Sequence, residues 1–265
     1  MKNYNNLIDL FNKNYIIFLV ILVIIILFFL FNYNMTSKSN KVVVFDLDET
    51  LGQFSQLGII VDAIEKVIKK KLNQNEFNYL LDVFQLYLRP DIFKTLNYLK
   101  NNKEKNQLDK VIIFTNNQGP KDWANKIKNY FNYKLKFILF DQVIGAYRIN
   151  GKQVERLRTS HNKRHSDLIK IARLSNNTKI CFIDDLHHEE MQNDNLFYIN
   201  IYPYEYEYTL NSILQILEKN IISDKYALNM IYRDISRYKI EKNKIINQKE
   251  ISIELYENIK LFFSN

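Results

Sequence analysis

The chain is poor in residues that break or staple structure. Its 265 residues include five glycines, three prolines and one cysteine. So few Gly and Pro exclude a collagen-like or linker-like chain. Cys181 stands alone, so no disulfide forms within the chain, and a disulfide-stapled scaffold is excluded. Its place inside an apolar run fits a reducing compartment. Hydrophobic content of 47% and charged content of 25% are ordinary for a globular chain.

The formal net charge is +8, and part of it is concentrated. Eight basic residues against two acids lie between Arg148 and Arg173. Such a stretch is either a solvated surface or a field that attracts an anionic, phosphorylated substrate. The second reading predicts that Arg156, Arg158 and Arg164 contact an extended anion.

Charge is missing altogether from Tyr15 to Phe31, "YIIFLVILVIIILFFLF". As a helix this run spans roughly 26 Å, close to the thickness of a bilayer core. Aromatics near its ends (Tyr15, Phe31, Tyr33) suit the interface. The run is longer than the apolar part of a signal peptide, and no A-x-A follows it. The expectation is a membrane anchor over 15–33, after a short segment 1–14 and before a polar linker 34–40. Flanking lysines are balanced, so they do not set the orientation. The lone cysteine favours a cytosolic domain behind the anchor.

Behind the linker, five apolar runs read as strands: Val42–Phe45, Val111–Thr115, Phe137–Phe140, Ile180–Ile183 and Leu196–Tyr202. Helical patterns lie between them. One opens at Pro90 and Asp91, with Ile92, Leu96 and Leu99 on one face. Others cover Ser166–Leu174 and Tyr208–Leu217. Alternating strands and helices predict an α/β fold with a parallel sheet and helices on both faces. Residues 52–87 read as a helical insert. The tail from Ile221 reads as two amphipathic helices that pack on the core.

Ligands of such sheets bind beyond the carboxyl ends of the strands. Three of the five runs end there in polar clusters. The first delivers Asp46 and Asp48, the second Thr115, Asn116 and Asn117, the fourth Asp184 and Asp185. A lone Asp-x-Asp also forms turns. An apolar strand into Asp-x-Asp-x-Thr, another into Thr and a third into Asp-Asp, in that order, is a much stronger signal.

This order resembles the haloacid dehalogenase superfamily of phosphatases. "DLDETL" is similar to the first motif of the phosphatases that act on the carboxy-terminal domain of RNA polymerase II, and of their membrane-anchored relatives. "LYLRPDIFKTLNYL" resembles that branch's Arg-Pro segment, "VIIFTNN" its second motif, and "NLFYINIYPYEYEYTLNSILQIL" its last strand and closing helix. The resemblance covers residues 41–218; the extension 219–265 lies outside it. "FTNNQG" also resembles the second motif of polynucleotide 3′-phosphatases.

The resemblance implies a nucleophile, Asp46, that takes the phosphoryl group as an aspartyl-phosphate. It implies Asp48, on the same side of an extended chain, as general acid and base. Thr115 and Asn116 would bind the phosphoryl group. Lys163, in "HNKRHSDL", would offset its charge, with Arg164 beside it and Arg164 and Lys170 as rivals for the role. Mg²⁺ would be held by the Asp46 carboxylate, the Asp48 carbonyl, and Asp184 or Asp185. The substrate would be a phosphoprotein. The alternatives are a polynucleotide 3′-phosphate, a small phosphomonoester, or no turnover at all in a silent membrane tether. Thr50 reads as a local cap, Trp123 as core, and the run His187–Glu190 as solvated surface.

Overall fold

The computed structural model describes residues 15, 19–27, 40–120, 122–238 and 247–264, in two units, Met1–Ser39 and Asn40–Asn265. In the first unit residues 19–27 are helical and exposed. The remainder of the expected anchor and most of the linker lie outside the described residues. No described helix is long and apolar enough to cross a membrane.

The second unit is an α/β fold around a five-stranded parallel sheet. Its elements are β1 (Lys41–Phe45), α1 (Ser55–Ile68), α2 (Gln74–Val83), α3 (Ile92–Glu104), β2 (Lys110–Phe114), α4 (Trp123–Leu135) and β3 (Phe140–Ile144). A small antiparallel hairpin follows, β4 (Arg148–Ile149) and β5 (Lys152–Gln153). Then come α5 (His165–Ala172), β6 (Lys179–Asp184), β7 (Leu196–Asn200), α6 (Leu210–Asn220), α7 (Lys225–Ile235) and α8 (Gln248–Ser264). The sheet order is β3-β2-β1-β6-β7. After β1 the chain builds outwards to β3, then returns to lay β6 against the other side of β1. The crevice between the carboxyl ends of β1 and β6 is therefore the switch point of the sheet, where α/β folds bind ligands.

β1 is buried on both faces, which explains its unbroken apolar run. Side chains alternate along it with period two. Val43 and Phe45 join the larger core with α1, α2, α3, α4 and the C-terminal helices. Val42 and Val44 join Ile180 and Phe182 of β6 in a smaller core covered by α5. One more step of two puts Asp46, just past β1, and Asp184, the last residue of β6, on that α5 face.

The third strand runs over Phe140–Ile144 and not Phe137–Phe140. It is a sheet edge, so Asp141 and Gln142 are tolerated in it. The Asp141 carboxylate accepts the Val111 amide at 2.9 Å, where the register with β2 shifts. The tail helices α7 and α8 bury Ile231, Ile235, Leu255, Ile259 and Phe262 in the larger core.

Candidate active site

The loop after β1 is held in a tight turn. The Leu51 amide donates to the Leu47 carbonyl at 3.0 Å, and Glu49 takes a left-handed backbone, φ 56°. Gly52 closes the turn. A Cβ there would lie 2.4 Å from the Tyr87 carbonyl oxygen, so only glycine fits. Arg89, 1% exposed, clamps the loop from beneath. Its guanidinium donates to the carbonyls of Thr50 (2.6 Å), Glu49 (2.5 Å) and Tyr202 (2.9 Å). It reaches the Gln248 side chain at the start of α8 at 3.3 Å. The Arg-Pro segment of the sequence thus positions the loop after β1, and the C-terminal helix meets it there.

Asp46 is buried, and its amide donates to the Ile183 carbonyl at 2.8 Å. That bond ties it to the end of β6, beside Asp184. Lys163, 1% exposed, lies between them. Its ammonium donates to Asp46 Oδ1 and, at 2.6 Å, to Asp184 Oδ2. Burial pushes Asp46 well above the ordinary carboxylate range, against the pull of Lys163. Burial opposes the charge of Lys163, but the two carboxylates outweigh it and hold the ammonium above its ordinary value. Burial raises Asp184 too, but Lys163, with the His188 imidazole close by, outweighs that and leaves it below.

Carboxylate oxygens of Asp46, Asp184 and Asp185 lie within 4.8 Å of one another. Asp185 is oriented by the Thr50 hydroxyl, which donates to its Oδ1 at 3.1 Å. With all three carboxylates ionised, the group and Lys163 carry two more negative charges than positive, which a divalent cation would balance. An all-oxygen donor set suits a hard cation such as Mg²⁺. The residues present therefore fit a metal of that class. The Asp48 side chain is outside the cluster, and its expected share in the metal is through its carbonyl.

Asp48 turns instead to the loop after β2. Asn117 Nδ2 donates to Asp48 Oδ2 at 2.6 Å, while Asp48 Oδ1 is buried with no partner among the described residues. Burial pushes Asp48 up to about 6, opposed by the Asn117 hydrogen bond and by Lys163. Asn117 is in turn fixed by Gly119, whose amide donates to Asn117 Oδ1 at 2.8 Å. Thr115, 2% exposed, accepts the Asn117 amide at 2.9 Å, and its hydroxyl keeps a proton to donate.

The expected residues do not all converge. Asp46, Lys163, Asp184 and Asp185 meet at the carboxyl ends of β1 and β6, while Asp48 and Thr115 are joined through Asn117 at the end of β2. Asn116 is exposed, and Asn117 makes the contact to Asp48. Arg164 faces Glu190 and Thr159, away from Asp46. Lys163 is distinguished from Arg164 and Lys170 by its two carboxylate partners. Arg158 is no part of a surface field. It is 2% exposed and donates to the carbonyls of Thr115 (3.1 Å), Gly145 (2.9 Å) and His161 (2.9 Å). It ties the end of β2 to the loop that carries Lys163. His188 is half-buried, with Nε2 3.3 Å from Asp184 Oδ2, and is not the free surface residue its neighbours suggest. Trp123 is buried, and Thr50 orients a carboxylate. Asn117 and Arg89 were the residues that sequence motifs underweighted; the second Asn after Thr115 and the Arg before Pro90 were their only signals.

Comparison with family models, curated proteins and solved structures returns no match.

Proposed function

We propose that the second unit is a divalent-metal-dependent phosphomonoesterase that works through an aspartyl-phosphate on Asp46. The observation that carries this reading is the meeting, at the switch point of the sheet, of a carboxylate cluster, a buried ammonium and a separate carboxyl group at about 6. A resident Mg²⁺ would supply charge that lets the Asp46 carboxylate approach a phosphate dianion.

The chain's own residues carry the rest. An Asp46 oxygen forms the bond to phosphorus as the alcohol oxygen departs. Asp48 in its acid form gives that oxygen its proton. Asp48, then ionised, takes a proton from water as the water oxygen attacks phosphorus. The Asp46–phosphorus bond breaks, and inorganic phosphate leaves with Asp46 and Asp48 restored. Thr115 donates to a phosphoryl oxygen. Lys163 offsets the charge that builds on the same group. Asn117 aims Asp48, and Arg89 fixes the loop that carries both acids.

A phosphoprotein substrate and a membrane anchor are supported by the sequence alone, through "DLDETL" and the run Tyr15–Phe31. The test of the reading is hydrolysis of 4-nitrophenyl phosphate by the full chain. Turnover is expected with Mg²⁺, lost in EDTA, restored by Mg²⁺, and abolished in Asp46→Asn. Full activity of a metal-free preparation, or of Asp46→Asn, contradicts the reading. No turnover with any phosphomonoester favours a silent tether.

A further inference from the structure

A cleft of about 530 Å³ opens beside the candidate site, between α1, the loop after β2 and the end of α7. Phe54, Gly58, Ile59, Pro120 and Trp123 line it. Asn117 lines it too, and the same Asn117 holds Asp48. A general acid must reach the leaving oxygen directly. The alcohol of the substrate is therefore on the Asp48 and Asn117 side of the site. Asn117 joins that side to this cleft, and also borders a smaller space of about 160 Å³ beside Thr115.

The charges at the cleft cancel locally. Lys66 is 2.8 Å from Asp62 and 3.8 Å from Asp234, and Arg237 is 3.6 Å from Asp234. Lys71 is 2.6 Å from Glu65. Three acids face three bases, so the rim exerts no net pull on a polyanion. The volume is that of a small-molecule pocket, with an apolar wall of Phe54, Ile59, Pro120 and Trp123 and six mutually paired charges along the rest of its lining.

Resting on the phosphomonoesterase reading above, we propose that this cleft is the leaving-group subsite and takes the phosphomonoester of a compact, predominantly apolar alcohol. Trp123 is the only tryptophan in the chain, so its fluorescence reports the cleft without reference to catalysis.

The experiment uses the full chain with methyl phosphate and cyclohexyl phosphate, two alkyl esters that differ in bulk. Cyclohexyl phosphate is expected to show a KM at least about tenfold lower, from burial of its ring. Cyclohexanol alone is expected to change Trp123 emission saturably, in wild type and in Asp46→Asn. A Cβ on Gly58 would meet Trp123 Cζ2 at 3.7 Å, an ordinary contact, so Gly58→Ala is sterically accommodated and Gly58→Leu extends into the space. The KM ratio should fall in Gly58→Ala and approach one in Gly58→Leu. Equal KM values for the two esters in an active wild-type enzyme overturn the proposal and leave the phosphomonoesterase reading intact. So does a phosphoserine peptide or a 3′-phosphorylated oligonucleotide with a lower KM than cyclohexyl phosphate. Saturable cyclohexanol binding in a chain that hydrolyses no phosphomonoester keeps the cleft and overturns the chemistry. If Gly58→Leu does not fold, the Gly58→Ala ratio and the cyclohexanol titration decide alone.

Discussion

Asn117 Nδ2 donates to Asp48 Oδ2 at 2.6 Å, and this one bond joins the ends of β1 and β2 across the candidate site. It favours the ionised carboxylate, while burial favours the acid and sets the balance at about 6. An acid that must be protonated for the first step gives a kcat/KM that falls as pH rises through its pKa.

Asn117→Ala removes the one side-chain group that, among the described residues, donates to the Asp48 carboxylate. The pKa of Asp48 should rise, and the alkaline limb of kcat/KM should move to higher pH with it. A pH–rate profile of the free enzyme checks this. An unmoved limb, or one displaced to lower pH, means that Asp48 is not the group titrating.

Lys163→Met leaves Asp46 and Asp184 buried without their shared cation. Removal of one partner of a buried ion pair costs about 3–5 kcal/mol. Urea unfolding in EDTA at pH 7 should show a loss of that order. The loss should shrink on acidification. The unpaired carboxylates have folded pKa values above their unfolded ones, so the folded state takes up protons as pH falls and regains stability. A loss that grows towards low pH contradicts this placement of Lys163.

Arg89→Met strips donors from three loop carbonyls at once. Hydrogen bonds to charged groups are worth about 1.5–3 kcal/mol each, with incomplete additivity, so a loss of about 3 kcal/mol is expected in urea. Gln248→Ala removes one outer contact of Arg89 and should cost about 1 kcal/mol. If Gln248→Ala costs more than Arg89→Met, α8 supports the site by another route.

The parts legible in the sequence were those with a strong physical pattern. β1 and β6 are buried on both faces, so their apolar runs and the acids that end them stand out. β3 is an edge strand with Asp141 and Gln142 inside it, and its pattern fails there. Lys163 could be named because of its spacing from Asp184, but burial chooses among neighbouring bases, and a sequence does not display burial. Arg158 shows the same limit from the other side. Counted as surface charge, it is a buried clamp on main-chain carbonyls. Asn117 and Arg89 act through hydrogen bonds across 69 and 39 residues of chain, which no local pattern records.

Arg158 also carries a prediction about salt. Arg158→Met should lower stability at every ionic strength, because its partners are buried carbonyls and not a screened field. Urea midpoints at low and high salt should fall by similar amounts relative to wild type. A deficit that vanishes in salt would return Arg158 to the surface.

The central claim is that Asp46 carries the phosphoryl group. The direct measurement is to quench the full chain in acid during turnover of 4-nitrophenyl phosphate, reduce with borohydride and sequence the peptides by mass spectrometry. Reduction converts an aspartyl-phosphate to homoserine, so homoserine is expected at position 46 and at no other aspartate. Homoserine at Asp48, Asp184 or Asp185, or steady turnover without homoserine at position 46, contradicts the account.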